Sequence, residues 1–232
     1  MQMKNDIIPL MMKSELFEGQ STDDLHSLLP CLRPILRNYK KGEIISSFGE
    51  KQEGIGILLQ GKAAVAKESF SGTRHIMAVL GEGDLFGEIN AFAGKNTWPA
   101  TVSAREDCHI LFIPREVFFE RCEKECTWHK NLTGKMMKIL SEKAMHLNRK
   151  VMYLSMKGMR QKIATFLLEQ QAASGKALFS LPMNREEMAE FLGVSRPSMS
   201  REMGRMRDTG LIEFFRNSVK ILDRERLAAY TD

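Results

Sequence analysis

Residues 192–202 read LGVSRPSMSRE, and this stretch decides the fold of the last third of the chain. Its glycine can adopt the positive φ that ends a helix. Ser195 can then cap a second helix, whose first turn tolerates Pro197. Upstream, Asn184 followed three residues later by Glu187 is a capping box that starts a preceding helix. A helix, a glycine turn and a second helix are typical of a helix-turn-helix.

The faces of the second helix follow from its periodicity. Met199, Met203 and Met206 recur at i, i+4 and i+7 and predict a buried stripe. Arginines occupy the other side, and an arginine fork can hold O6 and N7 of a guanine together. We therefore expect Arg201 first and Arg196 second to read bases. The full set predicted to contact DNA, with Ser198 and Arg205 on phosphates, is Ser195, Arg196, Pro197, Ser198, Arg201, Arg205, Arg216 and Lys220.

The local charge and a following hairpin support DNA binding over arginines that are merely solvated. Residues 196–207 hold four arginines against one acid. Two apolar runs, at residues 211–215 and 219–222, flank a short polar turn and predict a β-hairpin wing. Arg216 and Lys220 on this wing are expected to reach the DNA backbone.

The composition of the whole chain is that of a soluble globular protein. It has 232 residues, of which 43% are hydrophobic and 27% charged. The net charge of +5 is compatible with a polyanionic partner. Apolar stretches such as residues 110–113 are far too short to span a bilayer, and the N-terminus lacks the features of a signal peptide. We therefore expect a cytoplasmic protein without a membrane partner.

The four cysteines are Cys31, Cys108, Cys122 and Cys126, and no two of them form a C-x-x-C pair. A zinc ribbon is therefore not expected, and disulfides are not expected in the cytoplasm. Cys122 and Cys126 would share a helix face with His129. That face is open to two interpretations, a metal or redox site and a pair of half-buried structural thiols.

The middle of the chain is rich in glycine. Ten of the 17 glycines lie between Gly42 and Gly94 and separate short runs of β-branched and apolar residues. This pattern predicts a small antiparallel barrel or roll, with Gly61 and Gly72 in hairpin turns and residues 81–84 in a tight corner. The predicted strands are residues 43–46, 55–59, 63–67, 75–80, 101–104 and 109–113.

A heptad seam follows the roll. Its members, separated alternately by four and three residues, are Thr133, Met137, Leu140, Ala144, Leu147, Val151 and Leu154. The seam favours a two-stranded coiled coil in a homodimer; the alternative is a long helix buried on its own domain. Residues 155–158 interrupt the pattern and are a candidate hinge. We therefore predict a sensing roll at 1–128, a dimerisation helix at 129–155 and a DNA-binding domain at 156–232.

This succession of roll, long helix, hinge and winged helix-turn-helix resembles the cyclic-AMP receptor protein/FNR (CRP/FNR) family of bacterial transcription regulators. The most specific segments are residues 192–202, quoted above, and residues 81–88, GEGDLFGE. The resemblance implies an α+β fold, with an N-terminal antiparallel β-roll of the cyclic-nucleotide-binding jelly-roll type. It also implies a homodimer whose roll binds a small effector, and RNA polymerase as a partner.

The roll departs from the family pattern at one pair of residues. Cyclic-AMP binders follow the Gly-Glu of the phosphate-binding segment with an Arg-Ser pair, whose arginine neutralises the phosphate. Here residues 87–89 are intact, but Trp98 and Pro99 replace the pair, and a buried phosphate without a partner is costly. We therefore expect an effector other than cyclic AMP. Its predicted contacts are Gly87, Glu88, Ile89, Trp98, Pro99, Ala100, Thr101, Leu147 and Asn148.

Other cofactors of the family find no support, and none is predicted. Iron–sulfur sensors carry clustered N-terminal cysteines, whereas only Cys31 lies near this N-terminus. A haem needs an axial histidine, His75 or His109, but Ile89 stands where a carbon-monoxide-sensing relative has its histidine. Haem is thus an unsupported alternative. Pro197 stands where the family often has a glutamate, so the family's usual operator does not transfer.

The sequence shows no nucleophile–base pair, metal-ligand motif or Walker loop, and we expect no enzyme. We expect an effector-gated, sequence-specific regulator that acts as a homodimer on an inverted repeat, with half-sites about one helical turn apart. Two alternatives stay open. One is a haem-dependent gas or redox sensor of the same family, and the other is a non-catalytic interaction protein with a cyclic-nucleotide-like fold.

Overall fold

The structure is a computed structural model that describes residues 7–69, 74–120 and 127–231. The chain divides into two compact units, Met1–Glu142 and Lys143–Asp232. This division falls inside the long helix that the sequence predicts, not at either of its ends. The predicted turn at Gly72 and the cysteines Cys122 and Cys126 lie outside the described residues.

Two four-stranded sheets form a roll in the described part of the first unit. The strands of this roll are β1 Ile35–Tyr39, β2 Ile44–Ser46, β3 Ile55–Gln60, β4 Ala63–Glu68, β5 Arg74–Leu80, β6 Leu85–Phe86, β7 Thr101–Ala104 and β8 Cys108–Ile113. One sheet has the order β1-β8-β3-β6 and the other β2-β7-β4-β5. All these pairs are antiparallel, which confirms the predicted β-roll. Strands β1 and β6 were not predicted.

Helices cover one face of the first sheet. They are α1 Ile8–Met11, α2 Thr22–Leu32, α3 Glu88–Phe92 and the first half of α4 Thr127–Ser155, with 3-10 turns at Glu15–Phe17 and Arg115–Phe118. Leu25, Ile57, Leu111 and Met136 are fully buried in the core between these helices and the sheet. A second core lies between the two sheets and contains Trp98 among its aromatic residues. The roll is therefore a sandwich with one helical cover.

The second unit is a winged helix-turn-helix, as predicted. After α4 come α5 Met159–Ser174, β9 Leu178–Ser180, α6 Arg185–Leu192, α7 Arg196–Asp208, β10 Ile212–Phe215, β11 Ser218–Ile221 and α8 Arg224–Ala228. The three strands form one sheet in the order β10-β11-β9. The capping box of Asn184 and Glu187 is present at the start of α6, and Ser195 caps α7 by accepting from the Ser198 amide.

Helix α4 has two different faces along its 29 residues. Leu132, Met136 and Ile139 are buried in the core of the first unit, and Tyr153 is buried in that of the second. Four large residues of the predicted seam are more than half exposed: Met137 (61%), Leu147 (53%), Val151 (64%) and Leu154 (52%). Leu140, by contrast, is half-buried against the core of the first unit. The helix thus packs part of its surface within its own chain and leaves most of the seam exposed.

Candidate nucleic-acid interface and effector site

The second helix of the helix-turn-helix, α7, separates its apolar and basic sides as the periodicity predicts. Met199, Met203 and Met206 are fully buried in the core of the second unit. The eight residues predicted to contact DNA are all at the surface; seven are exposed and Ser198 is half-buried. Along one face of the unit the structure therefore presents arginines above a buried methionine stripe.

The arginines on α7 differ in their partners. Arg196 pairs with Glu186 at 3.2 Å and Arg205 with Glu202 at 3.3 Å, and both guanidinium groups are well exposed. Arg201 donates from Nη2 to the Ser198 hydroxyl at 3.2 Å, and among the described residues it has no carboxylate partner. Exposed ion pairs are weak, about 0–1 kcal/mol, so DNA can displace them. Arg201 needs no such exchange.

A side-chain bridge behind α7 was not predicted from the sequence. Arg160, in the first turn of α5, donates from Nε to Glu202 Oε1 at 2.6 Å, and its guanidinium lies 5.0 Å from the centre of the Tyr230 ring. The hydrogen bond to Glu202 raises the pKa of Arg160. Because the Glu202 side chain is only 12% exposed, this bridge fixes the side of α7 next to Arg205.

The wing carries the remaining predicted contacts. Arg216 occupies the turn between β10 and β11 with φ +53°, and Lys220 lies opposite Glu213 on the outer face of the hairpin. Phe215, which the sequence reading missed, is 74% exposed, and the Arg216 guanidinium lies 5.4 Å from its ring centre. A large exposed aromatic residue beside a turn arginine is a further candidate for DNA contact.

The last turns of α4 are anchored on the second unit's core. Tyr153 donates its hydroxyl hydrogen to Glu169 Oε2 at 2.7 Å, and Arg149 donates to the same oxygen at 2.6 Å. Burial and the Glu169 carboxylate raise the pKa of Tyr153. Nearby, Gly193 has φ +65°, and an added Cβ would overlap the Leu154 side chain. The glycine of the helix-turn-helix thus also lets α4 approach.

The roll residues of the predicted effector site fall into two groups. Glu88, Trp98 and Ala100 are buried, with exposed fractions of 3%, 7% and 6%. Gly87 and Thr101 are half-buried, whereas Ile89 and Pro99 are exposed. Leu147 and Asn148 are exposed residues of α4 in the second unit.

Trp98 packs against Gly87 at the place where the family resemblance puts the phosphate of a cyclic nucleotide. Gly87 has φ +81°, and an added Cβ would overlap the Trp98 indole and lie 2.6 Å from Gln52 Nε2. The indole therefore packs directly on the backbone that would receive the phosphate, and it brings no charge. Gln52 Nε2 already donates to the carbonyl oxygens of Gly54 and Gly87, at 3.0 and 2.7 Å.

The part of the chain that the structure describes contains no candidate metal site. No group of three His, Cys, Asp or Glu side chains there is arranged to hold a metal ion. His75 lies on β5 and His109 on β8, in different sheets. Cys108 is a free thiol whose pKa is raised by burial. No described helix is both long and apolar enough to cross a bilayer.

Comparisons with known proteins agree with this architecture. Residues 36–125 match the model of the cyclic nucleotide-binding domain, and residues 161–230 match that of the Crp-like helix-turn-helix domain. A roll of the first type joined to a helix-turn-helix of the second defines a class of DNA-binding transcription regulators. The chain belongs to the CRP/FNR family of that class.

Relatives extend over nearly the whole chain. The transcriptional activator protein FnrA of Stutzerimonas stutzeri is 28% identical over 217 residues, covering 90% of this chain and 84% of the relative. A CRP-like cAMP-activated global transcriptional regulator of Mycobacterium tuberculosis is 22% identical and covers 94% and 97%. The crystal structure of the Thermus thermophilus catabolite activator protein superposes with a TM-score of 0.53 at 22% identity, over 94% and 98% of the two chains. It supports the same fold.

Proposed function

We propose that this family member is a sequence-specific regulator that binds an inverted repeat as a homodimer, with half-sites about one helical turn apart. The observation that carries the proposal is the exposed basic face of α7, on which Arg201 has no carboxylate partner among the described residues. The N-terminal half of such a helix meets base edges in the major groove. RNA polymerase is the proposed protein partner, and the cytoplasm the proposed compartment.

Each predicted contact has a proposed role. Arg201 reads a base, most simply a guanine through O6 and N7, and Arg196 is the second base reader. The remaining residues hold the phosphate backbone and fix the register: Ser195, Pro197, Ser198, Arg205, Arg216 and Lys220. Phosphate contacts position the protein, and base contacts specify the sequence.

The test begins with selection of an operator from random duplexes, followed by binding to that operator and to a scrambled duplex. We expect Arg201→Ala to weaken operator binding by about 5- to 150-fold, the worth of one good bidentate base contact, and scrambled binding far less. Arg216→Ala should weaken both duplexes alike and lower the salt slope by about 1. Arg226→Ala on α8 is the control, an exposed arginine outside the proposed interface.

Two results would contradict the assignment. Equal losses for Arg201→Ala on both duplexes would remove its role in base readout. Failure of the selection to enrich any duplex would contradict sequence-specific binding in the absence of an added effector.

The uncovered seam of α4 supports the homodimer. Four of its large apolar residues, Met137, Leu147, Val151 and Leu154, are more than half exposed, and a second copy is the partner that a 3.5-residue repeat selects. Val151 and Met145 are both 64% exposed, but Met145 lies off the seam. Sedimentation should therefore find Val151→Lys largely monomeric and Met145→Lys still dimeric. A monomeric wild type would contradict this proposal.

The roll gates DNA binding in the proposed mechanism through a small effector other than cyclic AMP. An effector shifts the equilibrium only if it binds the two arrangements of the dimer with different affinity. We propose that it acts on the segment from Trp98 to Thr101, next to Gly87 and Glu88. Operator titrations of extensively dialysed protein, with and without cyclic AMP, test the proposal that cyclic AMP is not the effector. We expect the same operator affinity in both.

A further inference from the structure

Trp98 packs at the place where the family resemblance puts the ligand, beside Gly87 and Glu88, which we call the ligand place of the roll. Trp98 is 7% exposed and its six-membered ring lies on the Gly87 backbone so closely that a Cβ at Gly87 would overlap it. The only other side chain among the three nearest atoms is Gln52, at 2.6 Å from that added Cβ. No gap for a ligand atom separates Gly87 from the indole.

The backbone around Trp98 is held on both sides. The Trp98 amide donates to the carbonyl of Glu50 at 2.9 Å, and its carbonyl accepts from the Gly49 amide at 3.0 Å. Lys51 and Thr97 form an antiparallel bridge beside it. The backbone from which the indole extends is therefore held by two paired segments.

The surroundings of the indole are aromatic. The Phe86 ring stacks on Trp98 with centroids 5.8 Å apart and an interplanar angle of 29°. Phe112 meets Phe86 edge-on at 6.0 Å. Stacked and edge-on pairs of this kind add to the free energy of apolar burial, so the indole belongs to a continuous aromatic cluster in the core between the sheets.

We propose that the Trp98 indole is a built-in occupant of the ligand place, standing where relatives of this family bind an outside molecule. The inference deepens the proposed gating at the roll and rests on it. It means that the roll has its ligand-filled arrangement without a cyclic nucleotide. The aromatic rings of Phe86 and Phe112 around the ligand place accept a planar ring system from solution only when the Trp98 indole is removed.

The experiment removes the occupant and supplies it from solution. Trp98→Gly leaves a cavity of indole shape, and we expect the variant to unfold at a lower temperature and to bind indole. Indole at about 100 times its Kd then lowers the unfolding equilibrium constant about 100-fold. The wild type, whose cavity is filled, shows no such rise in thermal midpoint. The absence of any indole effect on Trp98→Gly would overturn the proposal.

Trp98→Phe is the matched control. It keeps an aromatic ring in the cluster and leaves a smaller cavity, so we expect a smaller loss of stability and little response to indole. Equal indole responses in both variants would indicate binding elsewhere on the protein and would also overturn the proposal.

A second measurement keeps the inference testable if Trp98→Gly does not fold. The chain has two tryptophans, so Trp128→Phe leaves Trp98 as the sole emitter. We expect its emission to be blue-shifted, protected from acrylamide and unchanged by millimolar cyclic AMP. Red-shifted, readily quenched emission, or a response to cyclic AMP, would contradict the buried occupant.

These readouts separate the inference from the proposed function. Thermal midpoints, indole binding and emission need no DNA, so they stand even if the wild type binds no operator. If Trp98→Gly loses operator binding and indole restores it, the occupant of the ligand place controls DNA binding. If operator binding is unchanged in Trp98→Gly, this place in the roll does not gate DNA binding.

Discussion

The two units of this protein treat charge in opposite ways. The helix-turn-helix keeps its positive charges at the surface, where Arg196, Arg201 and Arg205 are exposed. The roll keeps the Gly87-Glu88 pair but places Trp98 where cyclic-AMP binders have an arginine. Ligand chemistry therefore has to be traced residue by residue within the family, because each unit departs from the family pattern at one position, Pro197 in the helix-turn-helix and Trp98 in the roll.

The energetic basis of the two surfaces differs accordingly. Exposed arginines held in weak ion pairs, about 0–1 kcal/mol each, exchange readily between a carboxylate and a phosphate. A buried tryptophan in an aromatic cluster resists exchange, since burial of its ring is worth several kcal/mol. Substitutions in the roll should therefore act on stability, and substitutions on α7 should act on DNA affinity.

The largest effect is expected at Gly87. Gly87→Ala combines a φ of +81° with overlap on the Trp98 ring, and we expect it to lower the free energy of unfolding of the roll by about 2–4 kcal/mol. Gly94→Ala is the matched control, because Gly94 has φ +72° but nothing within 4 Å of an added Cβ. It should lose only the backbone contribution, about 1 kcal/mol. Urea unfolding of both variants measures the difference, and equal losses would mean that Trp98 does not press on Gly87.

The next effect concerns the anchor of α4. Tyr153→Phe removes the hydrogen bond to Glu169 and should lower the free energy of unfolding by about 1–3 kcal/mol. Tyr39→Phe, in the roll, is the control, since Tyr39 has no side-chain hydrogen bond among the described residues. Denaturant titrations at neutral pH compare the two.

The same tyrosine predicts a dependence on alkaline pH. Folding raises the pKa of Tyr153, so its neutral hydroxyl stabilises the fold fully below the pKa of an unfolded tyrosine, about 10. That contribution is lost as the pH rises above this value. Wild type should therefore lose stability above about pH 10 more steeply than Tyr153→Phe, and parallel curves for the two proteins would show that the hydroxyl is not buried.

A smaller effect is expected at the bridge behind α7. Arg160→Met breaks the contact with Glu202 and should weaken operator binding by about fivefold, corresponding to about 1 kcal/mol. The salt slope should stay unchanged, because Arg160 is not proposed to meet a phosphate. Arg160→Lys, which keeps a charge near Glu202, should recover part of the affinity. A salt slope reduced by about 1 would instead make Arg160 a phosphate contact.

The smallest effect is expected for Arg205. Arg205→Ala removes one proposed phosphate contact. The wild type must break the weak Arg205–Glu202 pair to make that contact, so the loss of binding free energy should be less than about 1 kcal/mol. Filter binding at several salt concentrations should show a slope lower by about 1 and an unchanged ratio of operator to scrambled affinity. A changed ratio would assign Arg205 to base readout.

Local signals made most of the fold predictable. The capping box of Asn184 and the cap of Ser195 depend on residues three apart, and both form. Strand β1 was not predicted because its sequence, ILRNY, lacks the alternation of apolar and polar residues that marks a half-buried strand. Its residues are half-buried or exposed. Strand β6 was not predicted because two residues are too few to show a strand pattern.

Long-range contacts made the rest unpredictable. Arg160 and Glu202 are 42 positions apart, and nothing in either helix alone indicates that they meet. The sequence showed that Trp98 lacks a charge, but its packing on Gly87 depends on the pairing of two loops. The division of the chain inside α4 was likewise not predictable, since the heptad pattern runs on unbroken through that point.

The methionine stripe under α7 has a mechanical consequence. Met199, Met203 and Met206 are unbranched and have three rotatable bonds each, so they can repack when the helix shifts by a fraction of an ångström. A stripe of branched side chains would leave voids or clashes after such a shift. Helix α7, the proposed recognition helix, thus rests on side chains that can adapt to small shifts. Because these thioethers are fully buried, a sulfoxide on any of them would place a polar oxygen in an apolar core and displace the helix.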